Sequence, residues 1–118
     1  MSLQSTEAEC AANATAPRVS LADMEAKIAA RYDMTVDQAI HPDAPVHESL
    51  ALLSICILVM QNGFTLIGKS APASAANFNR DLGRKLAYED AIRQLWPLEG
   101  YALRDRRTEQ ASMVAIAN

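Results

Sequence analysis

Two arginines four residues apart, Arg80 and Arg84, follow a run of short polar side chains, Ser70, Ser74 and Asn77. The planar donor fork of arginine suits carboxylate and phosphate oxygens. A helix that starts between Ser74 and Asn77 adds free N–H groups and a dipole that favour an anion. Arg80 and Arg84 then share one helical face with Ala87 and Ala91. Ser70, Ser74, Asn77, Arg80 and Arg84 therefore form the candidate ligand site. The same stretch has two plainer readings: loop and capping residues, or a close helix–helix seam between copies of the chain. Gly83 inside the helix costs about 1 kcal/mol relative to Ala, which the approach of another backbone would explain.

Other chemistry-bearing groups point to structure. His41 and His47 sit in a Pro-containing loop, and no Cys or His pair has the spacing of a zinc site. No metal and no cofactor are expected. Cys56 falls in an apolar strand and Cys10 in the leader, so a disulfide between them is not expected; free thiols suit a reducing cytoplasm. There is no nucleophile elbow, no Ser-His-Asp order and no Gly-rich phosphate loop, so the chain does not read as an enzyme. Glu89 projects within about 20° of Phe78 on the long helix, inside its apolar arc. It is either a rim residue paired with Lys85 four positions earlier or a buried acid.

The elements that must position these groups give an α+β fold. Residues 1–17 read as a disordered leader, 18–107 as a single domain, and 108–118 as a tail, helical or frayed. Ser20 and Asp23 mark a helix start, and Leu21, Met24, Ile28 and Tyr32 follow at helical spacing. Thr35 and Gln38 have capping-box spacing for a shorter helix that His41-Pro42 ends. Leu52 to Met60, Asn62-Gly63 and Phe64 to Ser70 predict an antiparallel β-hairpin whose two-residue turn has positive φ at both positions. Leu53, Ile55, Ile57 and Val59 share one face of the first strand, while Leu52, Cys56, Leu58 and Met60 share the other. Both faces are apolar, which predicts cover on both sides, one of them supplied by a second copy. The long helix runs from near Ser74–Asn77 to about Trp96 and is kinked or broken at Pro97. No internal repeat is present.

Composition narrows the function classes. The chain has 118 residues, half of them hydrophobic, and a net charge of −3. Residues 1–50 hold eight acids against three bases, and residues 79–107 hold seven bases against five acids. This mild dipole lacks the basic excess of a duplex-binding domain, so nucleic acid is not an expected partner. The first twenty residues lack a basic start and an apolar run, so no secretory signal is expected. Ile55 to Met60, the longest apolar stretch, is too short to span a bilayer.

Several strings carry a resemblance. They are Cys56-Ile57-Leu58-Val59, Asn62-Gly63-Phe64-Thr65, Gly68, Ser70-Ala71, Ala73-Ser74, Asn77-Phe78, Gly83-Arg84-Lys85, Ala87, Ala91 and Trp96-Pro97-Leu98-Glu99-Gly100-Tyr101. With the opening segment Val19 to Ala39, they resemble a small bacteriophage protein family. That family is typified by the gene-forty-nine product of coliphage N-four and the gene-sixty-six product of phage Sf-six. The resemblance covers about residues 18–107, and Pro72 departs from it by stiffening the loop.

The resemblance implies a phage or prophage accessory protein made in a bacterial cytoplasm, and it brings no catalytic residues. Added to the residues above, it favours a non-enzymatic module for an anionic, nucleotide-like ligand, with a role in counter-defence. The alternative is a protein–protein inhibitor or modulator of a host factor, acting through the acidic N-terminal helices. A homodimer or higher homo-oligomer is the expected assembly.

Overall fold

The fold is taken from a computed structural model, which describes residues 2–13 and 17–117. The chain forms two compact units, Lys27–Gln94 and the pair of segments Met1–Ala26 and Leu95–Asn118. The architecture is α+β: N-terminal helices, a three-stranded antiparallel sheet and a long C-terminal helix.

In the sheet unit, β1 (Ile28–Thr35), β2 (Ser54–Met60) and β3 (Thr65–Ser70) lie in the order β1-β2-β3. The predicted hairpin is β2–β3. Its register pairs Ser54 with Ser70, Cys56 with Gly68 and Leu58 with Leu66. The turn differs from the expected two-residue form. The Gly63 N–H donates to Met60 O at 2.9 Å and the Met60 N–H to Phe64 O at 2.8 Å. Only Gly63 has positive φ, at +87°. This is a three-residue loop, a type I turn closed by a left-handed glycine. The Phe64 N–H donates to Asn62 Oδ1 at 3.0 Å, and Asn62 does not take the positive φ of the expected turn.

The second difference is β1. Helical spacing predicts one helix from Ser20 through Tyr32, but α2 covers only Leu21–Ala26 and a strand follows at once. Ala30, Tyr32 and Met34 alternate with Arg31, Asp33 and Thr35, and β1 pairs with β2 from Ile28↔Met60 to Thr35↔Ser54. The backbone of a central strand must be satisfied on both edges, and that demand outweighs a weak helical preference. The register slips at Ala29, between Ile28 and Ala30, as at a β-bulge. Beyond β1, the Thr35–Gln38 signal produces a short 3-10 turn, Val36–Ala39, rather than an α-helix. The Thr35 N–H donates to Gln38 Oε1.

The sheet is covered on the face of Ser54, Cys56, Leu58 and Met60, all of them buried. The cover is the start of α3 (Arg80–Ala117). A Cβ built on Gly68 would lie 1.9 Å from Ala87 O, and one on Gly83 would lie 2.4 Å from Ser54 Oγ. The stripe Gly83, Ala87, Ala91 thus brings the helix backbone down onto β2 and β3, and Gly83 is explained within one chain. Ile92, Leu58 and Cys56 are fully buried in this unit. Glu89 is buried at 5 % exposure, so of its two predicted positions it takes the interior one. The opposite face, with Ile55, Ile57 and Val59 half-buried, leaves Tyr32 and Ile67 more than half exposed.

The other unit contains α1 (Leu3–Asn13), α2 and the remainder of α3. The leader composition reads as disorder, yet Leu3–Asn13 is helical; Ala14, Thr15 and Ala16 of the same leader lie outside the described residues. Its Ala and Glu content, poor in large apolar groups, also has high helix propensity. Ser2 Oγ caps the helix by accepting from the Ser5 N–H at 3.1 Å. Ser20 caps α2 as predicted: its Oγ accepts from the Asp23 N–H at 3.0 Å. Glu7 bonds both Arg18 and the Leu21 N–H, which ties α1 to the start of α2. Leu3, Leu21, Met24 and Leu95 are buried. The long helix is unbroken at Pro97 and continues to Ala117. Proline removes one N–H from the helical ladder, and the residue four earlier, Arg93, is exposed, so water can take the freed carbonyl. Among the described residues no helix is long and apolar enough to cross a membrane.

Candidate functional site

The helix that was to organise the site starts later than its capping signals suggest. Ser74 precedes only a 3-10 turn, Ala75–Asn77, and makes no side-chain cap. The N-cap of α3 is Asn79: its Oδ1 accepts from the Leu82 N–H at 3.0 Å and its carbonyl from the Gly83 N–H at 2.8 Å. Asp81 already offers a carboxylate to the positive end of the helix dipole. Arg80 and Arg84 therefore lie in the first two turns.

This shift divides the predicted residues. Arg80 and Arg84 line one recess, with Met34, Thr35, Gln38 and Ser54. Ser70 and Asn77 line another, with Leu52, Pro72, Phe78 and Leu82. Ser54 borders both recesses, and Ser74 borders neither. The second recess has a volume of about 100 Å³ and a largely apolar wall. Drug-sized ligands usually occupy roughly 300–1,000 Å³.

The arginine recess has different chemistry. Thr35 and Ser54 are buried at 9 % and 2 % exposure. They line the recess together with the two exposed arginines, while the Thr35 and Gln38 side chains also engage each other's backbone in a capping box. Neither Arg80 nor Arg84 pairs with a carboxylate among the described residues. The enclosed space is about 10 Å³, close to the volume of a single water probe. The arrangement can thus seat one ligand oxygen, with the rest of an anion lying on the open surface under the arginine forks. Thr35, Gln38 and Ser54 come from β1, the following turn and β2, and only the folded sheet brings them to the arginines.

The two histidines have structural partners. Nδ1 of His41 accepts from the Asp43 N–H at 3.2 Å, and Nδ1 of His47 from the Ser49 N–H at 3.1 Å. Among the described residues no cluster of three His, Cys, Asp or Glu side chains could hold a metal. Both cysteines are free. Burial pushes the Cys56 thiol up to about 11, with the neighbouring Asp33 adding to the effect, so it carries no thiolate at neutral pH. Arg31 forms an ion pair with Asp33 at 3.0 Å and lies 4.2 Å from the centre of the Tyr88 ring.

Comparison with known proteins identifies a family. The family model described as Phage protein (N4 Gp49/phage Sf6 gene 66) family matches residues 19–107. No curated protein matches the chain, and no solved structure does.

Proposed function

The chain belongs to the N4 Gp49/Sf6 gene 66 phage protein family, and from that premise we propose a non-enzymatic accessory module that captures a small anionic ligand. The observation that carries this reading is the recess that Arg80 and Arg84 line together with the buried residues Thr35 and Ser54. Two guanidiniums without carboxylate partners among the described residues favour a phosphate or carboxylate, and the small recess they line suits one of its oxygens. A nucleotide would be held by its phosphate while its base lay on the surface. Such a protein would act in the cytoplasm of the infected cell, by sequestering a signal rather than by turning it over. The test is thermal stabilisation by inorganic phosphate and by linear and cyclic nucleotides. Arg84→Ala should abolish any shift, whereas Arg93→Ala, on the exposed surface, should leave it intact. No stabilisation by any of these probes overturns the reading.

A second reading, modulation of a host protein, is favoured by the open face of the sheet. Tyr32 and Ile67 are 54 % and 57 % exposed beside Ile55, Ile57 and Val59. Partner capture from a host lysate that Ile67→Lys abolishes would support it, and capture that is indifferent to Ile67→Lys would count against it.

A further inference from the structure

The two edges of the sheet are treated differently. At β3 the outward Lys69 N–H donates to Asp90 Oδ2 at 2.9 Å, and Gln94 Nε2 donates to Ile67 O at 2.8 Å. Two side chains of α3 thus occupy part of that edge. Because Lys69 and Ile67 turn their backbone outward, their partners Ile55 and Ile57 turn theirs toward β1. Their β1 partners, Met34 and Tyr32, accordingly face inward, and Arg31 and Asp33 face the free edge. Among the described residues nothing hydrogen-bonds the outward backbone groups of Arg31 and Asp33. Exposed edges of this kind are templates for another strand.

We propose that the occupant is a second copy of the chain, paired antiparallel through β1 about a two-fold axis at Tyr32. The charges on the strand select both the partner and the register. Outward-facing residues must oppose one another in such a pair. One register sets Arg31 against Arg31 and another sets Asp33 against Asp33, and like charges directly opposite are unfavourable. The register centred on Tyr32 places Arg31 of each protomer opposite Asp33 of the other. It is self-complementary, as a two-fold interface requires. It also sets the two Tyr32 side chains side by side at a non-hydrogen-bonded position, where cross-strand side chains lie closest. Tyr32 is more than half exposed in the single chain and lies on the open apolar face with Ile57 and Ile67. The pairing would join those faces across the axis. The register slip at Ala29 ends the pairing on one side.

The test is sedimentation velocity on the full chain over a micromolar concentration series, combined with disulfide trapping in a Cys10→Ser background. The wild type should sediment as a dimer. Tyr32→Cys should trap a covalent dimer under mild oxidation, and Ala30→Cys, offset from its own copy in this register, should not. Arg31→Asp should weaken the dimer at least about tenfold, because each paired charge becomes a like-charge contact. Arg31→Asp combined with Asp33→Arg should restore it, which separates a lost interface from a lost fold. A monomer at every concentration overturns the proposal. So does a dimer that traps equally well through Ala30→Cys, or one in which the charge swap fails to rescue a folded chain.

Discussion

Gly68 of β3 lies so close to Ala87 of α3 that a Cβ on the glycine would stand 1.9 Å from the alanine carbonyl oxygen and 2.5 Å from Ala91 N. Both obstacles are backbone atoms, so no side chain can rotate away. Gly68→Ala is expected to destabilise the protein by about 3 kcal/mol, the upper part of the range for overpacked cores. A urea melt in which the midpoint does not move would show that α3 does not rest on β3.

Gly83 and Ser54 form a softer version of the same contact. A Cβ on Gly83 would meet Ser54 Oγ at 2.4 Å but Ser54 Cβ only at 3.3 Å. Alanine improves helix propensity by about 1 kcal/mol, so Gly83→Ala sets that gain against a clash with one hydroxyl. The single variant should be net destabilised. With Ser54→Ala the clash is relieved, and the double-mutant cycle should show a coupling of about 1 kcal/mol or more. Additive effects would mean that the hydroxyl is not the obstacle.

The hairpin turn gives a conformational test without steric crowding. Nothing lies within 4 Å of a Cβ on Gly63, yet its φ is +87°. Gly63→Val should cost more than about 1 kcal/mol, since a β-branched residue resists that region, and Gly63→Asn should cost less. Equal melting temperatures for the two variants would contradict the left-handed turn.

Glu7 predicts a pH effect. Its hydrogen bond with Arg18, the largest influence, holds its carboxyl below the ordinary value of 4.5, with the Leu21 N–H acting in the same direction. A depressed carboxyl stabilises the fold above its unfolded value, and that contribution is lost as pH falls through the folded one. Helix content should therefore fall on acidification below about 4.5 in the wild type. The corresponding step should be smaller in Glu7→Gln, and identical acid titrations by circular dichroism would exclude the role.

Much of this architecture could be read before folding, and the failures have physical causes. The hairpin was legible because Leu52 to Met60 and Asn62-Gly63 signal strand and turn from local residues alone. β1 was not, because Leu21, Met24, Ile28 and Tyr32 fit a helical period by coincidence. The competing alternation of Ala30, Tyr32 and Met34 with Arg31, Asp33 and Thr35 was present, but its apolar set lies on the uncovered face. The start of α3 was misplaced because Ser74 and Asn79 are both good caps, and only the 3-10 turn after Ser74 separates them. Arg80 and Arg84 could be picked out from spacing. Thr35, Gln38 and Ser54 could not, because the sheet brings them to the arginines from distant parts of the chain.

Asp90 and Gln94 have a consequence for how large any assembly of these sheets can grow. A sheet sealed on one side can be lengthened only from the other. If two chains join through their β1 strands, both outer margins would be β3 strands at which α3 side chains already take Lys69 N–H and Ile67 O. In the proposed dimer the six-stranded ribbon would carry these side chains at both ends, which would disfavour growth beyond two chains.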